Sequence, residues 1–204
     1  MTVDDRPQTL VDLAFPVAGH AVPPDHRARL AAALHARLPW LGDLAGTGVL
    51  RLNLAHGGGG LLSGRTRLTL RIPGDLVDEA TAALAGAIFV LGGETLALGT
   101  PTARDLLPHR TLYAHFVDAE GADEAAFLAR VAGELQALDA ACSAVCGRAQ
   151  RLPTLDGELA GFSLLLDGLG PDAALRVLQR GIGGHRALGC GLFVPHKSAA
   201  AVGA

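Results

Sequence analysis

The chain is poor in aromatic residues and carries no excess of positive charge. Its 204 residues include six phenylalanines, one tyrosine and one tryptophan, so alanine and leucine must fill most of a hydrophobic core. Lysine and arginine together number 17 against 20 aspartates and glutamates, which gives a formal net charge of −3. Any attraction for a polyanion must therefore come from a local basic patch and not from the protein as a whole.

Cysteine pairs and long apolar runs are also missing. The three cysteines, Cys142, Cys146 and Cys190, have no C-x-x-C spacing, which argues against a disulfide framework and against a structural zinc site. The first ten residues contain no apolar signal region, and no uninterrupted apolar stretch reaches the roughly 18 residues that a membrane span needs. We therefore expect a soluble cytoplasmic protein with no membrane contact, no metal and no cofactor.

The order of apolar patterns predicts an α+β fold made of two tandem ferredoxin-like halves. Residues 9–99 give the order β-α-β-β-α-β that defines this unit, and residues 111–195 repeat the order without residue identity. The boundary falls near 100–108, which divides the chain into an N-terminal half, 1–103, and a C-terminal half, 104–204. The predicted helices are 24–38, 75–87, 123–138 and 171–180; the predicted strands are 9–17, 48–55, 65–72, 111–119, 142–152, 158–169 and 190–195, with a hairpin at 88–99.

The segment GIGGHRALGCGLFVPHKS, residues 181–198, has five glycines within its first eleven residues. It is not a Walker loop, because no glycine precedes Lys and Ser or Thr. Arg186 stands where a dinucleotide fingerprint needs its last glycine, and the segment runs from a helix to a strand. A flexible connection with a helix cap is one interpretation. The other is a nest of bare backbone amides that binds phosphate.

Basic residues form two groups in the predicted fold. Arg65, Arg67 and Arg71 share one face of the strand 65–72, which is either an ordinary solvated face or a surface for a polyanion, since a guanidinium can bind two phosphate oxygens. The second group surrounds the glycine-rich loop. The residues predicted to form this phosphate cradle are Arg176, Arg180, Gly181, Gly183, Gly184, His185, Arg186 and Lys197, with His196 beside them.

Two of the eight histidines lie on the first predicted helix. Histidine is a natural general acid or base, because its ordinary pKa of about 6.5 allows proton exchange near neutral pH. His26 and His35 are nine residues apart, which puts them about 180° apart around a helix, so we expect only one of them to serve a given site. An ordinary surface histidine is the simpler interpretation of either residue.

Three stretches carry a resemblance to a known family. They are DLAFPVAGHAVPPDHRARLAAALHARLPWL (12–41), LLSGRTRLTLRIP (61–73) and LQRGIGGHRALGCGLFVPHKS (178–198). These resemble the CRISPR repeat-RNA processing endoribonucleases of the repeat-associated mysterious protein superfamily, most closely the Myxococcus-type subgroup. The resemblance covers nearly the whole chain, and the C-terminal glycine-rich loop is its most specific part.

The resemblance implies cleavage of CRISPR precursor RNA within each repeat, without metal, to leave a 2′,3′-cyclic phosphate and a 5′-hydroxyl. It implies His26 of the PPDH motif as the first candidate for the catalytic histidine and His35 as the second. The glycine-rich loop, Arg65 and Arg67 would hold the RNA. Two alternatives stay open: a catalytically silent subunit that binds repeat RNA within an effector complex, and a ferredoxin-like module that binds a small anion or other proteins.

Overall fold

The computed structural model describes residues 9–55 and 59–197, which form an α+β fold with antiparallel sheets. No helix in these two ranges combines the length and the apolar character that crossing a membrane requires. The helices α1–α4 span His26–His35, Val77–Leu84, Glu124–Ala137 and Pro171–Arg180. The strands β1–β10 span Leu10–Ala18, Gly48–Val49, Arg67–Pro73, Ile88–Leu91, Glu94–Leu98, Thr102–Asp105, Thr111–Asp118, Ser143–Pro153, Glu158–Asp167 and Val194–Pro195.

The strands form two sheets, one from each half of the chain. The first has the order β2-β3-β1-β5-β4, and β6 also pairs with β1. The second has the order β10-β7-β9-β8. Each sheet has its own hydrophobic core, the first built from residues 11–98 with α1 and α2, and the second from residues 112–193 with α3 and α4.

Several predicted elements are shorter in the structure. The helix predicted at 24–38 is confirmed only over His26–His35. The strand predicted at 48–55 ends at Val49; beyond it, the Leu50 amide still donates to the Thr69 carbonyl oxygen, and the Thr66 hydroxyl donates to the Asn53 carbonyl oxygen, both at 2.8 Å. Residues 50–55 belong to no helix or strand. The last predicted strand is reduced to Val194–Pro195.

A buried arginine joins the two halves. Arg71 of β3 is 1% exposed, and its Nε and Nη2 donate to the two carboxylate oxygens of Asp12 at 2.8 and 3.0 Å. Its Nη1 donates to the carbonyl oxygens of Leu178 and Phe193, at 2.9 and 3.0 Å. Arg71 does lie on the same strand face as Arg67, but the second half covers this end of the face. The prediction that Arg71 contacts RNA is therefore wrong.

The glycine-rich loop is tightly packed. Gly191 has a φ of +67°, and a Cβ there would lie 2.0 Å from the Ile182 carbonyl oxygen. A Cβ on Gly189 would lie 2.8 Å from the carbonyl oxygen of Val49 in β2. Glycine is needed at these positions because the loop closes on itself and against the first sheet. This packing argues against a flexible connection.

We predict that Arg71→Met lowers the free energy of unfolding by about 3–5 kcal/mol, because it leaves a carboxylate and two carbonyl oxygens without their shared buried donor. Urea unfolding followed by circular dichroism measures this loss. Arg67→Met, an exposed position on the same strand face, is the matched control and should change stability by about 0.5 kcal/mol or less. A loss below about 1 kcal/mol for Arg71→Met would contradict the role of this residue.

We predict that Gly191→Ala lowers the free energy of unfolding by ~1–3 kcal/mol, because alanine must adopt a left-handed backbone and its Cβ would clash with the Ile182 carbonyl oxygen. Gly184→Ala is the control in the same loop. A Cβ there meets no atom within 4 Å, so its stability should change by about 0.5 kcal/mol or less. Equal melting temperatures for the two variants would show that the loop tolerates side chains throughout.

Candidate active site and nucleic-acid interface

A basic cleft of about 470 Å³ lies between residues of the two halves. It is lined by residues of β1, β3 and β6, by Leu50, Arg51, Asn53 and Arg65, and, from later in the chain, by His115, Gly189, Leu192 and Val194. Its charged side chains are those of Arg51, Arg65, Arg67 and Arg104, and no aspartate or glutamate is among the described residues that line it. Four guanidinium groups without a carboxylate repel one another, so the cleft favours an anionic ligand such as a phosphate backbone.

The structure brings two predicted arginines together with two that sequence reasoning missed. Arg65 and Arg67 are exposed at the cleft, where the Nη1 of Arg67 donates to the carbonyl oxygens of Gly64 and Thr66 at 2.9 and 2.7 Å. Arg51 lies on the polar side of the alternating stretch 48–55, which was the available signal. No sequence signal pointed to Arg104, because this residue lies in a boundary segment that forms the unexpected strand β6.

His26 is the first residue of α1 and is held by a backbone acceptor. Its Nδ1 lies 2.8 Å from the carbonyl oxygen of Pro23. Because a carbonyl only accepts, Nδ1 carries the ring proton and Nε2 keeps a lone pair. Burial lowers the pKa of His26 below its usual value, and the hydrogen bond to Pro23 offsets this only in part. The ring is thus a neutral imidazole suited to accept a proton at Nε2.

Two arginines accompany His26. Arg27 and Arg51 line the same small recess as the histidine, and the charge of each further lowers the pKa of His26. Burial and then the charge of Arg51 lower the pKa of Arg27, whose buried Nη1 has no hydrogen-bond partner within the described parts of the chain. A buried guanidinium donor without a partner is unusual, and an anionic ligand would satisfy it.

This recess adjoins the basic cleft, because Leu50 and Arg51 line both. Arg51 is therefore the charged side chain that the cleft and the recess at His26 have in common. Arg27 was missed by the sequence analysis, although its position next to His26 in the PPDHR stretch was a signal.

His35 occupies a different place. It is the exposed last residue of α1 and lines a recess of about 400 Å³. The other ionisable residues of that recess are Asp43, Asp156, His185 and Arg186. The two candidate histidines therefore line separate recesses, and only His26 shares one with an arginine pair.

The glycine-rich loop has an anion partner within the protein itself. The amide of Gly183 donates to Oε2 of Glu134 at 2.8 Å, so this amide is already occupied by a carboxylate. His185 has a left-handed backbone with φ +58°, and its Nε2 lies 3.3 Å from the buried Oδ2 of Asp118. Arg186 is half-buried, with a long contact of 3.4 Å to the Gly183 carbonyl oxygen.

The remaining predicted cradle residues differ in their exposure and in their hydrogen bonds. Arg176 donates to the carbonyl oxygens of Leu138 and Asp139 at 2.6 and 2.5 Å, which ties α4 to the end of α3. The buried Gly181 ends α4, and its amide donates to the Val177 carbonyl oxygen. Arg180, Gly184 and Lys197 are exposed. The single phosphate cradle predicted from these residues is thus corrected, because Arg176 and the amides of Gly181 and Gly183 serve packing.

The cysteines offer no reactive thiolate near neutral pH. Burial raises the pKa of Cys190 to about 12 and also raises the pKa of Cys142 and Cys146. Across residues 9–55 and 59–197, no group of three or more histidine, cysteine, aspartate or glutamate side chains could hold a metal ion.

Comparison with known proteins gives one clear relationship. The sequence model of the family described as Cas6 Crispr matches residues 11–198. The CRISPR-associated endonuclease Cas6 of Myxococcus xanthus (strain DK1622) is 38% identical over 194 residues, which cover 94% of this chain and 84% of that protein.

Solved structures have the same fold. The product of a Cas6-related gene from Pyrococcus furiosus has a TM-score of 0.66 at 14% identity, covering 93% of this chain and 99% of that one. Thermus thermophilus Cse3, bound to an RNA representing a pre-cleavage complex, has a TM-score of 0.52 at 17% identity, covering 91% and 98%. At such identities the likeness shows the fold alone. The family match and the Myxococcus relative show more: this chain belongs to the Cas6 CRISPR family.

Proposed function

We propose that this protein is a metal-independent endoribonuclease that cuts CRISPR precursor RNA within its repeats. The observation that carries the proposal is the basic cleft that adjoins a neutral, half-buried histidine flanked by two arginines. The 38% identical relative is named an endonuclease, and the Thermus neighbour was solved with RNA bound. Both names agree with a phosphate-binding cleft that leads to a proton acceptor.

His26 acts as the general base. Its Nε2 accepts the proton of the 2′-hydroxyl, the 2′-oxygen attacks the adjacent phosphorus, and the bond from phosphorus to the 5′-oxygen breaks. The 5′-oxygen takes a proton from solvent, and His26 later returns its own proton to solvent. The products are a 2′,3′-cyclic phosphate and a 5′-hydroxyl. The fixed Nδ1–H bond to Pro23 supports this role, because it leaves Nε2 as the accepting atom.

Arg27 and Arg51 stabilise the charge that grows on the phosphate. The transition state, with pentacoordinate phosphorus, carries one more negative charge than the starting diester. A guanidinium can donate to two of its oxygens at once. Arg65, Arg67 and Arg104 hold the RNA backbone in the cleft. Three statements stay predictions. They are assembly with other effector subunits, a cytoplasmic location, and contacts between RNA and the loop side through Arg180, Gly184, His185, Arg186 and Lys197.

We also infer that each half is a ferredoxin-like unit. In the second half the order β7-α3-β8-β9-α4-β10 matches the unit, and the sheet places the last strand beside the first and the second strand at an edge. In the first half β2, β3, β1 and β5 take the equivalent places. The division into 1–103 and 104–204 stays a prediction; β6 crosses it and pairs with β1.

We predict that His26→Ala slows cleavage by about 10²–10⁴-fold, since a positioned base is lost. Its affinity for repeat RNA should stay within about threefold, because phosphate contacts to the cleft arginines remain. His35→Ala, at the other end of α1, should be mild. Single-turnover cleavage of labelled repeat RNA beside filter binding measures both. An inactive His35→Ala with an active His26→Ala would reverse the assignment, and tight binding without cutting by the unmodified protein would favour the silent subunit.

We predict that cleavage continues at an unchanged rate in excess EDTA, because the proton goes to His26 and the developing charge is met by Arg27 and Arg51. Repeat RNA with a single 2′-deoxy nucleotide at the scissile position should bind but resist cutting, since the attacking oxygen is missing. Gel analysis of both reactions tests the mechanism. The mechanism would be refuted if EDTA abolished cutting and Mg²⁺ restored it. Efficient cutting of the 2′-deoxy RNA would refute it as well.

A further inference from the structure

We propose that His115, from the second half, is a positioning residue that holds the guanidinium of Arg51 at the scissile phosphate. The inference rests on the proposed function and deepens it by adding a second-half residue to the catalytic site. His115 accepts the hydrogen bond of Arg51 and acts on the reacting phosphate through that guanidinium.

The contact is direct. Nη1 of Arg51 donates to Nδ1 of His115 at 3.1 Å, across 64 positions of sequence. Within the described parts of the chain this is the one hydrogen bond of the Arg51 side chain, and no carboxylate pairs with it. An exposed arginine outside any helix or strand would otherwise sample many rotamers. A single acceptor therefore decides where this guanidinium points.

His115 is itself held in place. It lies on β7, half-buried, with its ring edge-on to Tyr113 at a centroid distance of 4.9 Å and an interplanar angle of 86°. Its backbone carbonyl oxygen accepts from Nε2 of Gln150 at 2.9 Å. The imidazole is thus a fixed point in the second sheet against which Arg51 of the first half is aligned.

The ring is suited to accept a hydrogen bond without neutralising the arginine. Burial lowers the pKa of His115 to about 4, and the charges of Arg51, Arg27 and His196 add to this effect. The ring therefore stays neutral at neutral pH, with Nδ1 available as an acceptor. A carboxylate in the same place would cancel the charge of Arg51 and compete with phosphate. A neutral imidazole fixes the guanidinium and leaves its full charge for the RNA.

A double-mutant cycle tests this assignment. His115→Leu should slow single-turnover cleavage of repeat RNA by about 10- to 100-fold, as expected for losing a hydrogen bond to a charged group. In the Arg51→Ala background the same change should slow cleavage by about threefold or less, because its effect depends on Arg51. Affinity for the 2′-deoxy RNA should hardly change in His115→Leu, since the other cleft arginines remain.

Two variants separate positioning from simple structural damage. His115→Asn should restore most of the rate, because its side-chain oxygen can accept from Arg51 where Nδ1 does. His109→Leu is the matched control: His109 is an exposed histidine of the second half whose Nδ1 contacts the Thr111 carbonyl oxygen, and it lines neither the cleft nor the recess at His26. It should cut at the unmodified rate.

Additive losses in the cycle, or a His115→Asn variant as slow as His115→Leu, would overturn the proposal. A readout without RNA comes from titration by NMR: the pKa of His115 should rise in Arg51→Ala, because a neighbouring positive charge is removed. An unchanged pKa would also overturn it. If the unmodified protein binds repeat RNA without cutting it, the proposed function fails instead, and the NMR titration of His115 still decides the contact with Arg51.

Discussion

The buried guanidinium of Arg71 is the constraint on which the rest of the structure depends. Removing an arginine from water is costly unless its donors are satisfied, and here Asp12 of one half and two carbonyl oxygens of the other satisfy them together. Those carbonyls belong to Leu178 and Phe193, which lie on either side of the glycine-rich stretch 181–191. One side chain of the first sheet thus fixes both ends of the loop, and with them the cleft between the halves.

The distribution of charge explains how an acidic chain presents a basic surface. Outside the cleft, four partly exposed arginines pair with carboxylates: Arg29 with Asp25, Arg130 with Glu134, Arg151 with Glu158 and Arg176 with Asp139. Such partly exposed pairs add little stability. Their effect is to compensate positive charge elsewhere, so that the four cleft arginines form a local field despite the net charge of −3.

Local patterns predicted much of the fold but little of the assembly of the site. The alternation along 65–72 correctly put Arg67 and Arg71 on one face of β3, and apolar residues on one side of α1 and of α3 are buried. The second half covers only the end of that β3 face that carries Arg71, and this burial depends on how the two halves pack together. Arg27, Arg51 and His115 come from three separate segments, so only tertiary structure brings them together.

The carboxylate of Glu134 on the Gly183 amide means that the loop has its shape before any nucleic acid arrives. Segments that fold only on binding lose conformational freedom at that moment, and this loss weakens association. A loop closed by Gly191 and by Glu134 has little such freedom left to lose. A ligand that binds at this surface therefore meets a preformed shape, to which the ligand must adapt.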